Sequence, residues 1–109
     1  MDSLLSIPAG LPRPEEFSEP LVQCGDVVLE RIISHGHTSS PGAWFDQERD
    51  EWVALLQGHA RLAFSDGVVL DMQAGDWTLI PAHRRHRVDA TSAEPPCIWV
   101  ALHFPSSSL

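Results

Sequence analysis

The sequence predicts an all-β domain, either a sandwich or a closed barrel of about eight short strands. Three observations predict it. Short apolar or alternating runs recur at a spacing of roughly 8–12 residues. Turn signals separate each run from the next. No segment keeps a helical period for more than two turns. At 109 residues and 43% hydrophobic, the chain suits one domain around one core.

Residues 1–20 hold Pro8, Pro12, Pro14 and Pro20 and read as an irregular N-terminal arm. Within it, Pro14-Glu15-Glu16-Phe17 could form one helical turn, with proline first and acids near the positive end. The barrel is expected over 21–105, with a tail at 106–109. Its strand runs are Leu21–Cys24, Val27–Ser34, Glu51–Leu56, Ala60–Phe64, Val68–Met72, Trp77–Ile80, Arg85–Ala90 and Ile98–Phe104. Gly25-Asp26, Pro41-Gly42, Gly58, Ala74-Gly75-Asp76, Pro81 and Pro95-Pro96 punctuate them. Asp66-Gly67 between two apolar runs predicts a hairpin turn. Trp44, Trp52, Trp77 and Trp99 supply large apolar surface, and most are expected in the core.

Composition removes several function classes. The net charge of -8 repels nucleic acid and anionic membranes, so neither is an expected partner. All seven basic residues are arginine, which leaves no Schiff-base lysine and no basic residue able to act as a base. Tyrosine is absent, and so are a Gly-x-Ser-x-Gly elbow and a phosphate-cradling glycine loop. No apolar run approaches the ~20 residues of a membrane span. Residues 1–10 carry no Lys or Arg, so no secretory n-region is expected there, and a cytoplasmic location is. Cys24 and Cys97 read as two buried small apolar residues in a reducing compartment. Chemistry therefore falls to His, carboxylates, the cysteines or a bound cofactor.

The densest concentration of such groups is Gly75-Asp76-Trp77-Thr78-Leu79-Ile80-Pro81-Ala82-His83-Arg84-Arg85-His86-Arg87-Val88. A turn feeds an apolar strand, proline stops it, and two histidines then open the next strand. His is the commonest metal ligand and titrates near neutrality.

The spacing Gly75, five residues, Pro81, one residue, His83, two residues, His86 resembles the second signature of the cupins. Glu51, six residues, Gly58 resembles the second half of the first signature. Together these segments cover 42–90, and the strand pattern extends the likeness from about 21 to 104. Trp44-Phe45-Asp46-Gln47, Asp50-Glu51-Trp52-Val53 and Ile80-Pro81-Ala82-His83 are further similar to small one-domain bacterial cupins without assigned activity. The resemblance implies a jelly-roll β-barrel with a pocket in its mouth, and metal-ligand roles for Glu51 and His86. It also implies a tendency to dimerise, so a homodimer is expected, with the arm lying across a neighbouring subunit.

The departures are equally specific. The signature has glycine where His83 stands, and asparagine where Ala90 stands. Its His-x-His pair falls on Trp44 and Asp46 in one register, and on Phe45 and Gln47 in the other. Neither register supplies a histidine. Glu51 and His86 thus remain, with Asp46 or Gln47 as oxygen donors and His83 able to complete the set from the rim. Such a set suits a hard or borderline divalent ion.

The remaining candidates have two readings each. Trp44 could stack on a ligand ring, or belong to the core. Arg84, Arg85 and Arg87 could draw in an anionic molecule, Arg87 as its binding residue, or could pair with the acidic loop Asp46, Glu48 and Asp50. His35 and His37 share a strand face, yet thirteen residues separate His37 from Glu51. They could line the pocket or end a strand. His59 follows Gly58 and is expected at the surface. His103 alternates with Trp99 and Ala101, as a core, interface or pocket histidine.

The expected function is binding of a small polar or anionic molecule in a pocket built on Glu51 and His86, with a divalent metal. Proton transfer or Lewis-acid catalysis by His86 and Glu51 would follow if the protein is an enzyme. A non-catalytic binding or sensing module, or a metal-free structural dimer, is the alternative.

Overall fold

In the computed structural model, residues 2–106 are described; of the segment read as a tail, 107–109 lie outside the described residues. Eight strands run in order: β1 (Phe17–Cys24), β2 (Val27–Ser34), β3 (Arg49–Gln57), β4 (His59–Phe64), β5 (Val69–Gln73), β6 (Trp77–Ile80), β7 (His86–Thr91) and β8 (Cys97–Pro105). The described residues contain no helix, and therefore none long and apolar enough to cross a membrane. Pro14–Phe17, expected as a helical turn, makes bends that lead directly into β1.

The strands form two antiparallel sheets, β1-β2-β8-β3-β6 and β5-β4-β7, wrapped into a jelly-roll barrel. Their inward positions follow period two. Val53 and Leu55 of β3, Leu62 and Phe64 of β4, and Trp99 and Ala101 of β8 fill the space between the sheets, with Met72 and Ile80. Each such side chain contributes about 1.5–3 kcal/mol through burial, alanine excepted. Of the four tryptophans, Trp99 alone is buried. Trp77 is 62% exposed and packs on Trp52 across the outer face of β3 and β6, with ring centroids 6.0 Å apart.

β1 starts at Phe17, inside the stretch read as an arm. Pro20 is tolerated there because β1 is an edge strand and its register shifts between Pro20 and Val22. Upstream of β1 the arm is fastened by polar contacts rather than apolar packing. Arg31 of β2, 5% exposed, donates through Nη1 to the carbonyls of Ser3, Leu4 and Ser6 and pairs with Glu19 at 2.6 Å. Ser34 Oγ donates to Glu16, and His37 Nε2 donates to the Arg13 carbonyl at 2.8 Å. Cys24 is exposed on this edge strand, contrary to the sequence reading, while Cys97 is buried.

Candidate functional site

One end of the barrel holds a cavity of about 160 Å³. Ile32, Val53, Leu62, Ile80, Val88 and Trp99 make its apolar wall. Its polar groups are Glu51 and His86, Glu30 and His103, Gln47 and Glu16.

Strand alternation aims the first pair inward. Glu51 shares the inner face of β3 with Val53 and Leu55, and lies opposite His103 of β8 and Ile80 of β6. His86, the first residue of β7, shares its inner face with Val88. Its backbone exchanges hydrogen bonds with Phe45, which brings the 42–48 loop over the cavity. The rings of Phe45 and Phe64 flank the imidazole at 5.6 and 6.1 Å.

His86 Nδ1 lies 3.0 Å from the Arg84 carbonyl, which can only accept. Nδ1 therefore carries the proton, and Nε2 faces the Glu51 carboxylate at 3.6 Å. That separation is a charge contact, too long for a hydrogen bond. Burial works against the charged form of His86, but Glu51 and the Arg84 carbonyl outweigh it and hold its pKa above the ordinary value.

The second pair is tighter. His103 Nε2 donates to Glu30 Oε1 at 2.8 Å, and this bond raises the His103 pKa against its burial. His103 Nδ1 is buried with no hydrogen-bond partner among the described residues.

The two registers open in the sequence now separate. Phe45 and Gln47 line the cavity, whereas Trp44 and Asp46 do not. Asp46 Oδ1 instead pairs with His83 Nδ1 at 2.8 Å on the rim, where both side chains are exposed. His83 adopts φ 64, in the left-handed region. Glycine takes that conformation freely, which explains why glycine stands at this place in the signature. Trp44 lies under the Arg87 guanidinium at 4.5 Å, and Arg87 in turn pairs with Asp89 at 2.6 Å. Arg84 pairs with Asp66 and stacks on Phe64. Arg84, Arg85 and Arg87 contribute nothing to the cavity lining. His37 ties down the arm and accepts the His35 backbone N–H, so this pair serves the loop rather than the cavity. His59 is exposed, as expected. Asp50 accepts the Ala82 N–H and braces the loop that carries His83.

Glu30, Glu16 and the partnership of His103 were not anticipated. Glu30 alternates with Val28 and Ile32 in Val27-Val28-Leu29-Glu30-Arg31-Ile32, a pattern that places a carboxylate on an inner face. Glu16 carries no such signal, because the fold of the arm delivers it.

The donor set can be compared with what a resident metal requires. In the register whose residues line the cavity, the four signature positions hold Phe45, Gln47, Glu51 and His86: a phenyl ring, an amide, one carboxylate and one imidazole. Among the described residues, no three His, Cys, Asp or Glu side chains converge closely enough to hold an ion. Catalytic zinc sites use three protein ligands. Two strong donors and a neutral amide do not fit a retained divalent ion.

Comparison with known proteins agrees with the architecture. No curated protein matches the chain. A protein from Ralstonia eutropha JMP134, provisionally named a mannose-6-phosphate isomerase, is 37% identical, with a TM-score of 0.88; the match covers 97% of this chain and 98% of that one. A cupin superfamily protein of Desulfitobacterium hafniense DCB-2 shares the fold at 21% identity and TM-score 0.74, over 88% of this chain and 83% of that one. KdgF from Halomonas sp. shares it at 16% identity and TM-score 0.68, over 84% and 82%. The family model described as "Cupin domain" matches residues 30–103, which include both signature segments and most of the cavity wall, and the chain belongs to the cupin family.

Proposed function

We propose that this cupin binds a small oxygenated molecule in the Glu51–His86 cavity without a resident metal, and that the pair performs proton transfer on it. The orientation of His86 carries this reading. With Nδ1 tied to the Arg84 carbonyl, Nε2 is the atom free to give or take a proton, and the Glu51 carboxylate beside it stabilises the charged imidazole. The burial of both side chains against the apolar wall strengthens both effects. The isomerase name of the Ralstonia relative is consistent with proton transfer. A divalent ion on Glu51, His86 and Gln47 is supported less well, because only two of the three are strong donors.

Thermal-shift screening of small hydroxy and carbonyl compounds, followed by calorimetry of any hit, tests the proposal. Binding should survive chelator treatment and weaken about tenfold or more in Glu51→Gln and His86→Gln, since each removes a charged group that would hydrogen-bond the ligand. Near-stoichiometric metal by elemental analysis, with binding lost after chelation, would contradict the metal-free part. Hits indifferent to both substitutions would contradict the site.

A further inference from the structure

We propose that the cavity selects uncharged, polyhydroxylated ligands and rejects their phosphate esters and carboxylic acids, with Glu16, Glu30 and His103 setting that selectivity. This inference rests on the small-molecule reading of the cavity and adds the ligand class. Among the described residues, the cavity is lined by three carboxylates, on Glu16, Glu30 and Glu51, and by no guanidinium. Lysine is absent from the chain. The two imidazoles are already matched, His86 with Glu51 and His103 with Glu30. Even with both protonated, the lining keeps a net negative charge. The depression that shares Glu30, Gln47 and His103 with the cavity adds Asp26 and Glu48 against Arg49 alone. Of the arginines around His86, Arg84 points to Asp66 and Arg87 to Asp89, and Arg85 is absent from the cavity lining. An entering phosphate or carboxylate would lose its hydration, meet no free cation, and face like charges across an apolar wall.

A neutral polyol meets the opposite situation. Its hydroxyls can donate to the carboxylates and accept from an imidazole, and its C–H face can lie against Trp99 or Phe45. His103 lines the cavity, with its side chain 9% exposed and Nε2 held by Glu30. Its Nδ1 has no partner among the described residues and is closed even to water, so a ligand hydroxyl reaches it only after the ring shifts. Glu16 completes the mouth from the arm, with its carboxylate oriented by the Ser34 hydroxyl at 3.0 Å.

The test is calorimetric titration of the full chain with a panel of neutral three- to six-carbon polyols and aldoses. Each is run beside its phosphate ester and its carboxylic acid. The neutral parent should bind, and its charged derivatives should bind roughly tenfold or more weakly. Glu16→Gln, which keeps an acceptor for Ser34, should narrow that gap several-fold. His103→Gln should weaken the neutral parent. A phosphate ester or acid that binds as tightly as its parent, in a manner dependent on Glu51, would overturn the selectivity and leave the cavity reading intact. Binding by no member of the panel would overturn both.

Discussion

At the scale of single residues, the site is two carboxylate–imidazole pairs that differ in closure. Glu30–His103 is hydrogen-bonded at 2.8 Å, whereas Glu51–His86 stands open at 3.6 Å. Because Glu51 helps to raise the His86 pKa, Glu51→Gln should lower it, which NMR titration of the His86 ring would measure; no change would contradict the contact. The Glu30–His103 bond also gives stability a pH dependence. A histidine whose folded pKa lies above 6.5 stabilises fully below that value, and the contribution is lost as pH rises through the folded pKa. Thermal melts should therefore fall with rising pH across that window, and less steeply in Glu30→Gln. Equal slopes would remove the pair from the stability of the protein. Motif spacing in the sequence singles out Glu51 and His86, and leaves Asp46 and Gln47 as alternatives beside them. The choice of Gln47 over Asp46 was not legible there, because the 42–48 loop decides it through the Phe45–His86 backbone pairing. The bond from His103 to Glu30 was not legible either, since it joins residues 73 positions apart on β8 and β2.

At the scale of elements, strand alternation is local and was legible nearly residue for residue, as Val27–Ser34 and Trp77–Ile80 show. The arm was not. Its proline content conceals the first half of β1, Phe17–Pro20, whose pairing with β2 depends on an edge position that local sequence does not announce. The Arg31 anchor is the clearest consequence. Arg31→Met should cost about 1–3 kcal/mol, because it removes the charged hydrogen bonds to Glu19 and to three arm carbonyls, all of which water can reach. Since Glu16 follows this anchored segment, ligand affinity should drop as well. Urea denaturation and calorimetry would measure the two effects, and a loss under 1 kcal/mol would contradict the anchoring role. The β3–β4 junction is similarly constrained. Gly58 has φ 88, and a Cβ there would lie 2.6 Å from Ser92 Oγ and 3.1 Å from Cys97 Cα. Gly58→Ala should cost about 2–4 kcal/mol from backbone strain and overlap, read as a lower denaturation midpoint. Wild-type stability in that variant would show that the junction can relax.

At the scale of the whole molecule, a five-stranded and a three-stranded sheet enclose an apolar core and leave one end open over the cavity. The outward charge is acidic, and the inward charge is acidic too. This agreement between surface and cavity is the physical basis for a neutral ligand, and the short donor set is the basis for a metal-free one. The most direct measurement is histidine-resolved 15N NMR of the full chain during titration with the tightest neutral hit from the panel. Binding in the cavity predicts that the His86 and His103 ring nitrogens shift together, while His37, His59 and His83 stay fixed. Shifts confined to His83 or His59, or a bound ligand that moves neither His86 nor His103, would contradict a site built on these two pairs.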